Sequence, residues 1–261
     1  MSKTLILSDI HFSTSSSTVI SAEQLRHLWS GCDELVLNGD TAEAHALQTC
    51  EASKKLTTSL INLAECDGVK TTLICGNHDP KISETDFLWF WDKKVLVFHG
   101  HAAFRGLVPW SWRAKYIVKA REQYLIDSGD GFDEQLAAIR RASFDAASGA
   151  FNSHRPSFLR FLLLALPATL HVLLGWWRFP SLIERWVDKY APSAKYIIVG
   201  HTHHAGIWTR NKRIIVNTGC FGFPSHPRAV IIDNDVITVY RLRFSDGNYS
   251  LGRVCSSWKA R

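Results

Sequence analysis

Short apolar runs that end in polar or glycine-containing turns recur along the first hundred residues: Lys3–Leu7, Glu34–Leu37, Thr71–Cys75 and Val95–Phe98. A fifth, Tyr196–Val199, follows after a long interval. Runs of this length, rich in β-branched and aliphatic residues, predict buried strands. Between the second and third runs, residues 43–66 carry a helical pattern. Strand–helix–strand alternation predicts an α/β sheet with helices on its faces. Late in the chain, Arg213–Val216, Ala229–Ile232 and Val236–Arg243 read as antiparallel strands, with Asn234-Asp235 as a hairpin turn between the last two.

The interval departs from this rhythm. Residues 104–190 hold little strand signal and four helical stretches, near 111–126, 133–147, 157–174 and 180–190. They read as a helical cap inserted into a core made of residues 1–103 and 191–261. The first stretch places Trp112, Tyr116, Ala120 and Tyr124 on one face at i, i+4 spacing, with Lys115 and Lys119 together and Arg113 and Arg121 nearby. This is either a packed helix with a solvated basic side or a basic wall for a diphosphate or anionic lipid heads. Phe161–Trp177 is almost wholly apolar between Arg160 and Arg178. A spanning helix needs about 20 apolar residues, and Pro167 and His171 interrupt this one. It reads as a buried cap helix, or as one that enters a membrane interface or shelters an acyl chain.

Composition changes the picture modestly. With 46% apolar residues in 261, the chain can bury a large core, and 21% charged residues argue against wholesale disorder. A formal charge of +6 fits an anionic partner: a phosphorylated substrate, nucleic acid or an acidic membrane surface. No groove-reading motif accompanies it, so no nucleic acid is expected. None of the six cysteines forms a C-x-x-C pair, which speaks against a zinc knuckle or thioredoxin-type site and for reduced thiols in a cytoplasmic protein. No signal peptide is visible, since the run Thr4–Leu7 is short and leads straight into Asp9.

The chemistry gathers where the predicted strands end. Asp9-Ile10-His11 follows the first, Gly39-Asp40-Thr41-Ala42-Glu43 the second and Gly76-Asn77-His78-Asp79 the third. His99-Gly100-His101 follows the fourth and Gly200-His201-Thr202-His203 the fifth. Ligands of open α/β sheets bind outside the carboxyl ends of strands. Carboxylate, amide oxygen and imidazole suit borderline divalent ions: manganese first, with iron(II) or zinc as alternatives. A carboxylate such as Asp40 can bridge two ions, and two ions about 3.5–4 Å apart activate water and clamp both reacting oxygens. Any one of these pieces alone is ordinary turn chemistry; five in order are not.

As a set, Asp9-x-His11, Gly39-Asp40, Gly76-Asn77-His78-Asp79, His99 and Gly200-His201-x-His203 resemble the calcineurin-like metallophosphoesterase superfamily. The resemblance implies a β-sandwich flanked by helices with a dinuclear site at one edge. It implies Asp9, His11, Asp40 and His203 around one ion, and Asp40, Asn77, His99 and His201 around the other. His78 would act on the scissile phosphate as acid or hydrogen-bond donor, oriented by Asp79. Glu43 is expected behind the ligands, and His101 as a supporting or substrate contact or a bystander.

The implied activity is phosphoester hydrolysis by a metal-activated water. The cap and the segment Ala194–His203 resemble, more weakly, enzymes that hydrolyse UDP-2,3-diacylglucosamine in the lipid A pathway. That implies an acylated, phosphorylated substrate at the inner membrane surface. His78 and His101 depart from that subfamily's arginine and aspartate. The alternatives are a soluble phosphatase or phosphodiesterase for nucleotides or phosphoproteins, and a silent scaffold. Oligomeric state is not legible.

Overall fold

A computed structural model of the chain describes residues 2–43, 47–106, 114–148, 158–222 and 226–259. The chain forms two compact units, residues 1–99 with 193–261, and residues 100–192. The sequence pattern had set the junctions at 103/104 and 190/191.

The first unit is two sheets packed face to face. One holds β1 (Thr4–Leu7), β2 (Glu34–Asn38), β3 (Lys70–Ile74), β9 (Arg228–Asp233), β10 (Val236–Ser245) and β11 (Asn248–Lys259), in the order β11-β10-β9-β1-β2-β3. The other holds β4 (Phe87–Phe90), β5 (Val95–Phe98), β6 (Tyr196–Val199), β7 (Gly206–Arg210) and β8 (Arg213–Asn217), in the order β4-β5-β6-β8-β7. Strands β1, β2 and β3 run parallel, as do β5, β6 and β8.

Alternation along each strand decides which core a residue joins. Ile6, Val36, Val230, Ile232 and Val239 of the first sheet meet Val95, Val97, Ile198 and Val216 of the second. Leu5, Leu7, Leu35 and Leu37 turn the other way, onto Leu25, Leu28 and Trp29 of a 3-10 segment (Ala22–Trp29) and onto Leu60 and Ala64. The last two belong to α1 (Leu47–Cys66), whose buried residues Ser53, Thr57, Leu60 and Ala64 recur at helical spacing.

The second unit contains α2 (Ala114–Ser128), α3 (Phe132–Ser148) and α4 (Phe158–Tyr190). The two helices expected over 157–174 and 180–190 are one helix of 33 residues. Beyond Pro180, Ile183, Trp186 and Val187 continue the buried face begun by Phe179, and that packing outweighs the lost backbone hydrogen bond. Phe104 stacks on Phe179 at 6.1 Å between centroids.

The face expected for the first cap helix is also corrected. In α2 the buried positions are Ile117 and Arg121, while Tyr116 is exposed. Trp112 and Arg113 lie outside the described residues. Arg121 is not on a basic wall. Its guanidinium donates to the carbonyls of Ala102 at 3.0 Å and Phe104 at 2.7 Å, and to the side-chain oxygen of Gln135. Burial lowers its pKa, and its donors are consumed inside the unit. Lys115 and Lys119 are exposed. Among the described residues, no helix is long and apolar enough to cross a membrane.

Candidate metal centre

The carboxyl ends of the parallel strands of both sheets deliver Asp, Asn and His to one place. The β1 and β2 exits run side by side: the amides of Asp9, His11 and Phe12 donate to the carbonyls of Gly39, Asp40 and Thr41 at 3.1, 2.9 and 3.1 Å. The loops approach so closely that a β-carbon on Gly76 would overlap Asp40, and one on Gly200 would overlap Asp9. Five side chains at the site sit on left-handed backbone, with φ of 52° at Asp9, His11 and Asp40, 72° at His201 and 58° at His203. Each such residue costs of order 1–3 kcal/mol, held by the surrounding structure.

Among the described residues three groups of donor atoms result, each within 4.8 Å, of which His11, Glu43 and His78 form one; the two that hold the expected ligands are Asp9, His11, Asp40 and His203, and Asp40, His99 and His201. Asp40 belongs to both. In the first, His11 Nε2 lies 3.0 Å from His203 Nε2 and 3.8 Å from Asp40 Oδ2, and His203 Nε2 lies 3.4 Å from Asp9 Oδ1. In the second, His99 Nε2 lies 3.1 Å from Asp40 Oδ2 and 3.2 Å from Asn77 Oδ1. Asp9, Asp40, Asn77, His99 and His201 are buried.

These residues fit divalent cations. His99 Nδ1 lies 3.0 Å from the Asn38 carbonyl, which fixes it as the donor and turns Nε2 toward two oxygens. Three acceptors facing one another require positive charge between them, as a proton or a metal ion. Burial opposes a proton on His99, but the Asp40 carboxylate outweighs it and pushes the pKa up to about 9. Burial likewise opposes charge on Asp40, while His99, His78 and His11 hold it well below the usual carboxylate range.

Supporting side chains fix the loops. Asp9 accepts from the His201 amide at 3.0 Å and from the Ser8 hydroxyl. Asn217 Nδ2 donates to the Gly200 carbonyl at 2.7 Å and to Thr202 Oγ1 at 3.0 Å, so it braces the turn that carries His201 and His203. Asn38 and Asn217 each end a strand beside the glycine turns, and that position was the one sequence signal for them.

His78 is half-buried beside these groups, and its amide donates to Asp40 Oδ1 at 2.8 Å. Its expected orientation by Asp79 is corrected. His78 Nδ1 lies 3.0 and 2.9 Å from the two Glu43 oxygens. Asp79 instead accepts from four backbone amides: Gly76 at 2.8 Å, Asp40 at 3.0 Å, Thr41 at 2.7 Å and Ala42 at 3.0 Å. Adjacent in sequence to His78, it points away into the loop it organises. Glu43 also reaches within 3.8 Å of His11 Nδ1. His101 opens a 3-10 turn (His101–Ala103) of the second unit and is buried there. His45 and His154, without motif support, lie outside the described residues.

Several solved structures are similar to the chain at low identity. Vacuolar protein sorting 29 from Cryptosporidium parvum is 11% identical with a TM-score of 0.48, covering 99% of this chain and 98% of that one. A dimetal phosphatase from Danio rerio is 12% identical with a TM-score of 0.47, covering 91% and 94%. Yfce, a phosphoesterase from E. coli, is 15% identical with a TM-score of 0.46, covering 99% and 100%. No curated protein sequence matches the chain. Residues 3–235 match the calcineurin-like phosphoesterase superfamily domain, and the chain belongs to that superfamily of metal-dependent phosphoesterases.

Proposed function

We propose that the protein hydrolyses a phosphoester at a dinuclear centre, by in-line attack of water on phosphorus. The observation that carries this reading is the pair of donor groups sharing the buried Asp40. Asp9, His11, Asp40 and His203 would hold one ion, and Asp40, Asn77, His99 and His201 the other. Bound there, the ions supply Lewis acidity and a water acidified enough to attack. The chain's own part is positional. Asp40 sets the spacing of the two sites, and Asn38 fixes the tautomer of His99. His78 stands at the mouth with Glu43 behind it, placed to donate a proton or hydrogen bond to the leaving oxygen.

For the substrate we propose the diphosphate of an acylated, UDP-sugar-like molecule met at the inner membrane surface. The support is one face of α4. Leu170, Leu173, Leu174 and Trp177, spaced i, i+3, i+4 and i+7, are 60%, 50%, 46% and 74% exposed. Such a stripe costs solvation unless an apolar phase covers it, and tryptophan with a neighbouring arginine, here Arg178, suits a headgroup boundary.

The test pairs two substrates, an acylated UDP-sugar in mixed micelles and a simple aryl phosphodiester. Both activities should vanish on chelation and return with manganese. Leu173→Glu with Trp177→Glu should lower turnover of the acylated substrate about tenfold or more and spare the aryl ester. Equal activity of the wild type on acylated and deacylated sugar would favour the soluble alternative, and activity surviving exhaustive chelation would end the metal reading.

A further inference from the structure

Away from the donor groups, the face between the two sheets changes character. Along β9 and β10 that face is apolar at Ile232 and Ile237 and again at Val230 and Val239. One step further it becomes Arg228 and Arg241, cross-strand partners in the antiparallel ladder. Like charges directly opposed in a sheet are destabilising. Arg253 of β11 joins them, and the three line a cavity of about 250 Å³ with His204, Ala205, His226 and Cys255. Arg228 is half-buried, and desolvation, together with Arg241 and Arg253, lowers its pKa. Among the described residues, none of the three guanidinium groups is in an ion pair.

Three guanidinium forks from three adjacent strands, aimed into one concavity without a carboxylate, match the oxygens of a phosphoryl group, which arginine engages in pairs. The turn after β6 links this cavity to the metal centre: His203 belongs to the donor groups, and the next residue, His204, lines the cavity. We infer that Arg228, Arg241 and Arg253 form a subsite for a second, non-reacting phosphoryl group of the substrate. Its ligands are therefore diphosphates or bisphosphorylated molecules in preference to simple monoesters. This assignment rests on the hydrolase reading above and narrows its substrate class.

The test uses the full chain loaded with manganese and the variants Arg241→Gln, Arg253→Gln and their combination, both positions being exposed. Arg210→Gln, on β7, removes the same charge outside the cavity. For a UDP-sugar, each cavity variant should raise KM about tenfold, as expected for a lost charge-assisted contact, with kcat little changed. KM for an aryl phosphodiester, which lacks the second phosphoryl, should move far less, and Arg210→Gln should move neither. Equal shifts for both substrates, or none, overturn the subsite.

A second readout needs no turnover. Calorimetric titration of the chelator-treated chain with inorganic pyrophosphate should show binding that weakens about tenfold in each cavity variant. If the wild type hydrolyses neither substrate, the hydrolase reading fails and this titration alone judges the cavity; wild-type binding no tighter than that of the double variant overturns it. Pyrophosphate binding lost in the variants with UDP-sugar KM unmoved would mean a site for free phosphate, and would overturn the assignment to substrate.

Discussion

Glu43 grips His78: both carboxylate oxygens lie within 3.0 Å of the imidazole Nδ1. Burial alone would discharge this imidazole, yet Asp40 and Glu43 together push its pKa up to about 9, while His11 and then His78 bring Glu43 down to about 2 against its own burial. Glu43 is itself fixed, its amide donating to Ser53 Oγ at 2.7 Å. In the proposed mechanism it would act through His78, as a positioning residue. Replacing His78 by alanine should cost about 10²–10⁴-fold in kcat, as expected for a positioned proton donor. Glu43→Gln should cost about ten- to hundredfold with KM nearly constant, because an amide presents one acceptor oxygen and no charge. The double variant should be no worse than His78→Ala alone, since the two act as a unit. Steady-state kinetics at saturating manganese decide the matter, and additive losses would separate the pair.

Asp79 supports a different prediction, about stability. It takes four amide donors from the Gly76 and Asp40–Ala42 turns. Burial, then the Asp40 charge, drives its pKa up to about 6 against the help of those amides. Asp79→Asn keeps the volume but offers one acceptor oxygen where two served, and it aims an NH2 group at backbone donors. The loss should be about 1–3 kcal/mol, the usual range for a buried donor left without its partner. For a chain of this size that is on the order of 5 °C in the thermal midpoint. Calorimetry checks it. A midpoint unchanged within a degree would mean that the two turns hold each other by backbone contacts alone.

Strands and their order along the chain were legible because each is a short aliphatic run closed by a turn. Strands β4 and β7 are partly buried and interrupted by tryptophan, so they lack that contrast. β11 was missed although its turn was readable. Asp246-Gly247, with φ of 52° and 78°, joins Ser245 to Asn248 as an Asp-Gly hairpin should. The Asp, Asn and His at strand ends could be read as candidate ligands because the residue types carry the chemistry themselves. What the sequence could not carry was direction. Asp79 stands beside His78 in the chain but faces the opposite way. Arg121 shares a helix with Lys115 and Lys119, but its partners are carbonyls at Ala102 and Phe104 that no spacing rule reveals. The left-handed backbone at Asp9, His11, Asp40, His201 and His203 is only weakly signalled by residue type: Asp and His enter this region more often than most residues, but glycine is the usual choice.

Asp40 is the one side chain common to both donor groups, and that asymmetry can be measured without any substrate. Its Oδ2 lies 3.1 Å from His99 Nε2 and 3.8 Å from His11 Nε2, while Oδ1 is occupied by the His78 amide. A carboxylate in this place would offer negative charge to both cations of the proposed centre at once, whereas His203 and His99 would each serve one. Elemental analysis after manganese loading and desalting should give about two ions per wild-type chain. His203→Ala and His99→Ala should each retain about one, because all four donors assigned to the other ion remain in place. Asp40→Asn should retain close to none: the amide keeps the shape but loses the charge that both sites share, and each imidazole set then faces a cation with less to neutralise it. If Asp40→Asn kept one tightly held ion while His203→Ala lost both, the shared role would belong to the Asp9 side of the centre.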